Sequence, residues 1–537
     1  MGYFHQVTTQ PKPAEGQPDG RRAAAIVATG IFISKIFGFV RERVFAHYFG
    51  SGGFADAWWA ALKMPNVIRN LLGEGTLSAS MIPVYAEFIE EGREEEAARF
   101  AGAALGILTL LASGIALLGI ALAPLLVELI FGVLGTWSPE TRKVTVVLVR
   151  ILFPMTGLFV ISAWALGILN SHRVFFVSFV APVFWNLTMI TALTGGALYF
   201  GLEGRDLVVA LAWGALVGGV LTLLVQVPFL LRHTKGMRLS LGRGVAGVPE
   251  AVRNFVPVVA SRGVVNISGY LDLILAGTLM PGAVAVMGYA QTFSNLPVAL
   301  FGTGVAAAEL PEMARMRGEH AKLLGERVRV STERALYFLI PSAVGYLMLG
   351  DVVVAALYQT GAFGDVQSLI TWGVLAGYSL GLTASASSRV LSSAFYALRD
   401  TRTPARIAYI RVATSVAVGL SLMIPADQLG FSTLRLGAAG LAVGSSAGAW
   451  LEYLLLRRAL HRLLGPHGLP ALTILRLVLA ATVAGAVGVL LQVLLPSAHP
   501  ILIALETLIP FGAVYLVATA VLGLESPLFQ RANAPLL

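Results

Sequence analysis

Cysteine is absent from the 537-residue chain, and charged residues make up only 12% of it. Without cysteine the chain can form neither disulfides nor thiolate metal sites. The charged fraction is about half that of a soluble globular domain, whereas 56% of the residues are hydrophobic and the mean hydropathy is +0.78. A chain of this composition cannot hide its apolar surface in one aqueous core, so we expect an integral membrane protein.

Signatures of enzymes are missing as well. The sequence contains no His-Glu-x-x-His zinc motif, no Gly-x-x-x-x-Gly-Lys phosphate loop and no aspartate-rich loop that could hold Mg²⁺ on a lipid phosphate. We predict that the chain is not an enzyme and uses no cofactor; whether it binds a metal stays open. If such a chain moves a substrate across the membrane, the energy would come from an ion gradient, the membrane potential or mass action.

Long apolar runs are the main feature that is present. Stretches near the length of a membrane-spanning helix, about 20 residues, recur from Ile26 almost to the C-terminus. The runs are continuous rather than alternating, which favours helices over a transmembrane β-barrel. The sequence therefore predicts an all-α polytopic membrane protein with about fourteen transmembrane helices.

The formal net charge of +9 resides in short connectors between the apolar runs, which argues against a nucleic-acid partner. Alternate connectors hold most of the lysine and arginine, as in the segment from Arg232 to Arg243, and the others hold almost none. By the positive-inside rule, this asymmetry places both termini in the cytoplasm. Residues 1–22 lack the apolar core of a signal peptide, so we expect them to form a cytoplasmic tail.

Similar segments in the two halves of the sequence indicate an internal repeat. Gly73-Glu74-Gly75 resembles Gly302-Thr303-Gly304, and the segment from Leu169 to Arg173 resembles that from Leu398 to Arg402. Both pairs are offset by roughly 230 residues, the spacing expected of two pseudo-symmetric six-helix lobes with a site between them. We predict the N-terminal tail at 1–22, the first lobe at 23–232, a cytoplasmic linker at 233–251, the second lobe at 252–462, two further helices at 463–523 and a C-terminal cytoplasmic tail at 524–537.

Charged residues cluster in the first two apolar runs, although each costs about 2.5–3.5 kcal/mol inside a bilayer. Pro65 and Gly73 in the second run indicate a broken helix whose backbone lines a cavity. Arginine donates two parallel hydrogen bonds and suits phosphate, so a pyrophosphate is the expected ligand. The alternative is that these charges pair with one another and lock helices together. The candidate substrate-binding residues are Lys35, Arg41, Asp56, Asn66, Arg69 and Glu74.

The second half contains fewer charges in its apolar runs. Arg262 and Asp272 occur on one long run and Arg389 on another. Their helical spacing places Arg262 and Asp272 near the same side. Arg262 can equally snorkel towards water or pair with Asp272. These three residues are secondary candidates for the site.

Several motifs resemble those of the MurJ (MviN) family of lipid II flippases. They occur in family order from Ser34 to Pro404, and the N-terminal ones are specific. The matching segments are Ser34-Lys35-Ile36-Phe37-Gly38-Phe39-Val40-Arg41-Glu42, Phe49-Gly50, Ala55-Asp56-Ala57, Pro65-Asn66-Val67-Ile68-Arg69, Gly73-Glu74-Gly75, Leu169-Asn170-Ser171 with Arg173, Ala181-Pro182 with Asn186, Gly361-Ala362-Phe363, and Phe395-Tyr396-Ala397 with Asp400-Thr401-Arg402-Thr403-Pro404.

The resemblance implies a fold of the multidrug/oligosaccharidyl-lipid/polysaccharide exporter type and a location in the bacterial inner (cytoplasmic) membrane. It implies lipid II as substrate, moved by alternating access for peptidoglycan synthesis, with the last two helices forming a groove for its lipid tail. Membrane lipids and, as a further candidate, the cell-wall synthesis machinery are the implied partners. The family's essential charged residues correspond by motif position to Lys35, Arg41, Asp56, Arg69 and Glu74.

Departures from the family pattern lie in both halves. Lys35 replaces an arginine, which keeps the charge but loses the bidentate geometry. In the eighth run the family arginine is replaced by Thr292 of the sequence Tyr289-Ala290-Gln291-Thr292-Phe293. We expect Arg262 to be the candidate substitute.

Other classes compete with the flippase interpretation. A cation-coupled multidrug exporter, or another polysaccharide-lipid exporter of the same superfamily, is the main alternative, although a drug exporter should favour an acidic cavity. A membrane-embedded glycosyl- or phosphotransferase is disfavoured by the missing acidic loop motifs.

Overall fold

A computed structural model describes residues 20–73, 76–77, 80–132, 137–306, 309, 313, 321–428, 436–495 and 499–524. These residues are helical almost throughout, and the β pairing among them is one isolated bridge between Thr360 and Phe363. Within these ranges, ten helical segments are long and apolar enough to cross a membrane. The all-helical, multi-span architecture is confirmed, whereas the count of about fourteen spans stays a prediction.

The predicted spans outside those ten are the first, second, seventh and eighth, and each is observed as a helix. The second, Gly53–Leu72, shows why such a helix is less apolar, since it carries Asp56, Lys63 and Arg69. These four helices occupy equivalent positions in the two halves of the chain. The polar helices are therefore those expected to face a cavity rather than lipid.

The first lobe begins with two helices that carry charged residues within their apolar runs. Helix α1 packs on α6, α2 packs on α5, and α7 packs on both α5 and α6. A π-helical turn, Glu128–Gly132, continues α4. The helices of this lobe are α1 (Gly20–Phe49), α2 (Gly53–Leu72), α3 (Ile82–Glu90), α4 (Glu94–Val127), α5 (Pro139–Ser171), α6 (Phe175–Phe200) and α7 (Gly204–His233).

The second lobe repeats this arrangement, and the last two helices stand beside it. Helices α13 and α14 pack together, and α14 also contacts α11 and α12. Helices α15 and α16 pack on each other and on α10. The helices are α8 (Val248–Gly277), α9 (Ala283–Pro297), α10 (Ala321–Tyr358), α11 (Asp365–Ser379), α12 (Leu382–Ala397), α13 (Arg402–Gln428), α14 (Gly437–Leu464), α15 (Ala471–Leu494) and α16 (Pro500–Val521).

The break expected in the second span lies at Gly73, where α2 ends. The Gly73 N–H donates to the Arg69 carbonyl oxygen at 2.8 Å. A Cβ atom at position 73 would lie 2.2 Å from that oxygen, so only glycine fits this helix end. Pro65 lies inside the helix, which continues through it.

The ends of α5 and α12, which the internal repeat compares, share an unusual backbone geometry. Arg173 and Arg399 both adopt the left-handed conformation with φ of 61°. In each case the next N–H closes the helix, from Val174 to the Leu169 carbonyl at 2.8 Å and from Asp400 to the Phe395 carbonyl at 2.9 Å. The structure therefore pairs Arg173 with Arg399 rather than with Arg402.

Two ends of the molecule can be distinguished by their connectors. We call the end with the arginine-rich connectors the basic end, and the end with the α1–α2 and α10–α11 connectors the neutral end. At the neutral end one large apolar cluster joins both lobes and includes Phe45, Trp58, Tyr289 and Tyr358. Towards the basic end the described residues form two separate apolar clusters, one in the second lobe and one in the first lobe that also includes Ala251 and Phe255 of α8. The largest apolar contact between the lobes therefore lies at the neutral end.

Two charged residues of the first lobe bind helix ends of the second, and we call this pair the interlobe latch. The Asp56 carboxylate accepts hydrogen bonds from the N–H groups of Gly282, at 2.5 Å, and Ala285, at 2.8 Å, at the start of α9. Arg43 donates to the carbonyl oxygens of Ala356, at 2.7 Å, and Leu357, at 2.9 Å, at the end of α10. Each charge thus meets the opposite partial charge of a helix terminus.

The connectors beside the latch touch through their backbones. The Ala362 N–H donates to the His47 carbonyl oxygen at 2.8 Å. Gly50, at φ of +54°, would place a Cβ atom 2.5 Å from the Ala362 oxygen, and Gly361, at φ of +55°, would place one 2.3 Å from the His47 oxygen. Glycine is required at both positions because any side chain would push the lobes apart.

Replacing Asp56 with Ala should open the neutral end. The α9 N–H groups would lose a charged acceptor, which costs about 2 kcal/mol and lowers the closed-to-open ratio about 30-fold. A single cysteine at Ala285 in this cysteine-free chain, labelled from the neutral-end side by a membrane-impermeant thiol reagent, should react faster in the variant. Asp56→Asn, which keeps one acceptor oxygen, should react at an intermediate rate. Equal rates in all three proteins would contradict a latch.

Replacing Arg173 or Arg399 with Gly should stabilise the protein. Glycine removes the Cβ clash of the left-handed conformation, about 1–2 kcal/mol, and part of that gain is offset by its larger unfolded-state entropy. We expect the free energy of unfolding in detergent to rise by about 0.5 kcal/mol for each variant, and additively for the double variant. Alanine at either position is the control and should give no gain. Opposite effects at the two positions would show that the helix ends are not equivalent.

Candidate functional site

A polar cavity of about 470 Å³ lies within the first lobe, between α1, α2, α5, α6 and α7. Helices α1 and α2 contribute cationic side chains to one wall, Lys35, Arg41 and Arg69. The facing wall carries neutral polar side chains, among them Asn186 and Gln226. The cavity therefore combines positive charge with neutral hydrogen-bonding groups.

Arg41 is the most firmly positioned of the cations. Its Nη1 donates to Asn186 Oδ1 at 3.0 Å, and its Nη2 pairs with Glu42 Oε1 at 2.5 Å. The guanidinium lies over the Trp185 ring, 4.9 Å from its centroid. An acid, an amide and an aromatic face thus orient a side chain that is 18% exposed to the cavity. This preorganisation leaves the guanidinium poised for an anion.

Lys35 and Arg69 line the cavity beside Arg41. Lys35 is exposed and lies nearly two turns before Arg41 on α1. Arg69, also exposed, lies over the Phe159 ring at 5.1 Å from its centroid. The wall therefore offers three cations, an arrangement suited to a multiply charged anion.

The described residues that line the cavity include no acidic side chain. Glu42, which pairs with Arg41 through one oxygen, is 6% exposed, and its Oε2 atom has no hydrogen-bond partner among the described residues. Lys35, Arg41 and Arg69 therefore give the described lining a positive charge. Electrostatic attraction in this low-dielectric setting favours an anionic ligand.

Of the other first-lobe candidates, Asp56 and Asn66 are not among the residues that line this cavity. Asp56 is 1% exposed, and its carboxylate is engaged in the interlobe latch with backbone N–H groups of the second lobe rather than with another charged side chain. Asn66 is half-buried on α2 and is not part of the cavity lining. Glu74 lies outside the described residues. A substrate-binding role for these three residues stays a prediction.

The second-lobe candidates belong to a different part of the molecule. Asp272 of α8 has Lys63 and Arg411 as its electrostatic neighbours. Arg389 of α12 lies near Arg411, which pairs with Glu452 at 2.7 Å. Asp272 and Arg389 therefore share Arg411 as a neighbour, separate from the first-lobe cavity. The side chain of Arg262 lies outside the described residues, so its role as a substitute stays a prediction.

Thr292 places a neutral side chain at the position where the family pattern has an arginine. Its hydroxyl donates to the Gly288 carbonyl oxygen at 3.2 Å within α9, and the neighbouring Gln291 donates to the Tyr378 hydroxyl at 2.9 Å. Helix α9 contains no charged residue. The positive charge observed in the cavity accordingly comes from the first lobe.

Neutral residues of the site were missed as binding candidates by sequence reasoning. Ser162, Trp185, Thr222 and Gln226 line the cavity beside Asn186. An amide such as Gln226 in the middle of an apolar run is the signal that could have found them, since polar groups at membrane depth need a partner. Metal ligation has no comparable support, because no three histidine, aspartate or glutamate side chains converge within the described ranges.

Known protein sequences of one family match most of the length of this chain. The family model described as "Lipid II flippase MurJ" matches residues 45–508. The "Probable lipid II flippase MurJ" of Rhizobium tropici is 32% identical over 496 residues, which cover 91% of this chain and 89% of that protein. The "Lipid II flippase MurJ" of Burkholderia cenocepacia is 28% identical over 452 residues, covering 82% and 84% of the two chains.

Solved structures share the fold. The structure of "Lipid II flippase MurJ, inward closed conformation" superposes with a TM-score of 0.75 at 22% identity, covering 93% of this chain and 98% of that one. An inward-facing multidrug resistance MATE family transporter of the MOP superfamily gives a TM-score of 0.65 at 18% identity, covering 82% and 98%. With a matching family model over most of its length and a relative at 32% identity, the chain belongs to the MurJ family of lipid II flippases.

Proposed function

We propose that this chain moves lipid II, the undecaprenyl-pyrophosphate-linked disaccharide-pentapeptide, from the inner to the outer leaflet of the bacterial cytoplasmic membrane for cell-wall synthesis. The observation that carries the proposal is the cationic wall of the first-lobe cavity, with Arg41 fixed between Glu42, Asn186 and Trp185. A pyrophosphate presents several anionic oxygens, which the fork of a positioned arginine binds well.

Alternating access follows from the way the lobes meet. They are joined by the latch and a large apolar cluster at the neutral end, whereas towards the basic end the start of α8 packs with the first lobe and the remaining second-lobe residues form a separate cluster. Breaking the latch and closing the basic end would transfer the cavity from one side of the membrane to the other. With the basic end in the cytoplasm, as with both termini, the described conformation would receive substrate from the inner leaflet.

The lipid tail need not enter the cavity. Helices α15 and α16 present many exposed apolar side chains, such as Val493 at 72% and Val521 at 80% exposure. These surfaces support the proposal that residues 463–523 guide the undecaprenyl chain within the bilayer. We further expect the domain boundaries given above, no cofactor, and an association with the cell-wall synthesis machinery.

Arg41→Ala and Arg69→Ala should each abolish growth when the variant is the sole flippase in a flippase-depleted strain. Each variant removes a cation from the wall, so the pyrophosphate loses charge-assisted hydrogen bonds worth about 1.5–3 kcal/mol each. The measurement is colony formation together with lipid II exposed on the outer leaflet, at matched protein levels. Arg41→Lys should retain part of the activity because it keeps the charge without the fork.

Arg99→Ala is the matched control. Arg99 is an exposed arginine that pairs with Glu95 away from the cavity, so its loss should leave growth and lipid II exposure unchanged. Full complementation by Arg41→Ala or Arg69→Ala would contradict the site. Drug efflux by the wild-type chain without lipid II exposure would favour the multidrug exporter, the alternative raised by the shared fold.

A further inference from the structure

A buried amide in the neutral wall of the cavity has an unmatched acceptor. Gln226 of α7 is 1% exposed, and its Nε2 donates to Ser162 Oγ at 2.5 Å and to the Thr222 carbonyl oxygen at 2.9 Å. The carbonyl partner fixes the orientation of the amide, because only the nitrogen can donate to it. Gln226 Oε1 is therefore left without a donor among the described residues.

This amide is connected to the cationic wall. Arg41 donates to Asn186, and Asn186 Nδ2 donates to the Pro182 carbonyl oxygen at 3.2 Å. The Thr222 hydroxyl donates to the Gly218 carbonyl oxygen at 2.8 Å and also lies 3.3 Å from the carbonyl oxygen of Ala181, the residue before Pro182. The Thr222 carbonyl oxygen in turn accepts from Gln226. A ligand anion held at Arg41 would thus lie beside a continuous polar surface that leads to Gln226.

A second unmatched atom lies on the same wall. The indole N–H of Trp185 is buried and has no acceptor in the described part of the chain. Buried polar atoms without partners are rare in native proteins, and each calls for an explanation by water or a ligand. An unmatched acceptor and an unmatched donor in one polar cavity fit a ligand that carries both kinds of group.

We propose that Gln226, supported by Ser162 and Thr222, forms a subsite for the sugar next to the pyrophosphate, accepting a hydrogen bond from a hydroxyl or acetamido N–H group. The subsite rests on the proposed function. It extends that function, because the protein would contact the sugar of the head group as well as the pyrophosphate. A polyprenyl pyrophosphate without sugar has no such neutral donor, so the subsite distinguishes glycosylated from bare lipid pyrophosphates. A site built to pair a polar group selects against an analogue that lacks it.

The test compares two ligands on the same purified full-length protein in nanodiscs. One is a short-chain polyprenyl pyrophosphate, and the other is the same lipid carrying an N-acetylated sugar. Wild type should bind the glycosylated lipid about tenfold more tightly. Gln226→Met, which keeps the length of the side chain, should reduce this ratio of dissociation constants to about one by weakening only the glycosylated lipid. Ser162→Ala, which removes one of the two acceptors that position the amide, should reduce it partly.

Gln492→Met is the matched control, because Gln492 is an amide of α15 that donates to Asp351 outside the cavity; it should leave the ratio unchanged. The ratio does not depend on the folded fraction, since both ligands report on the same folded molecules. An unchanged ratio in Gln226→Met, as expected if only water occupies the subsite, would overturn the inference. Failure of wild type to bind either lipid would instead count against the proposed function.

Discussion

Charge buried at membrane depth is the constraint on which this structure depends. A charged side chain in hydrocarbon costs several kcal/mol unless it finds a partner or water. Besides the pairing of Arg411 with Glu452, the chain meets this requirement in two ways that bear on function. Arg43 and Asp56 are paired with the ends of helices in the opposite lobe, whereas Lys35, Arg41 and Arg69 face a polar cavity. The first solution joins the lobes, and the second creates the site.

Helix ends are suitable partners for a gate because they are dipolar rather than fully charged. Binding an arginine to two carbonyl oxygens, or a carboxylate to two N–H groups, gives directional hydrogen bonds. These bonds can be replaced by water when the lobes separate at their aqueous end. The latch therefore provides a closed state that can still open.

The cavity divides its chemistry between helices. Cations come from α1 and α2, and neutral hydrogen-bonding groups come from α5, α6 and α7. The hydrogen bonds from Arg41 through Asn186 fix one cation against the neutral wall. An anionic group and an adjacent neutral polar group could then be held together. This division distinguishes the cavity from one built to hold a cationic drug, which would require acidic walls.

Composition and periodicity by themselves determined the class of this protein. Apolar runs long enough to cross a bilayer must be helical, because lipid offers the backbone no hydrogen-bonding partner. The cost of buried charge also made Lys35, Arg41 and Arg69 recognisable, and the motifs around them indicated the family. The break at Gly73 could also be predicted from the sequence, since glycine is the residue that fits such a helix end.

Only the tertiary structure decided what each polar residue contacts. Asp56 and Arg41 occur in the same charged region of the sequence, yet one binds a helix end 226 residues further along the chain and the other turns to the cavity. Gln226 became visible as a site residue when its partners left one oxygen unmatched. The physical reason is that a sequence reveals which residues are costly to bury, whereas the partner that offsets the cost comes from a helix distant in the chain.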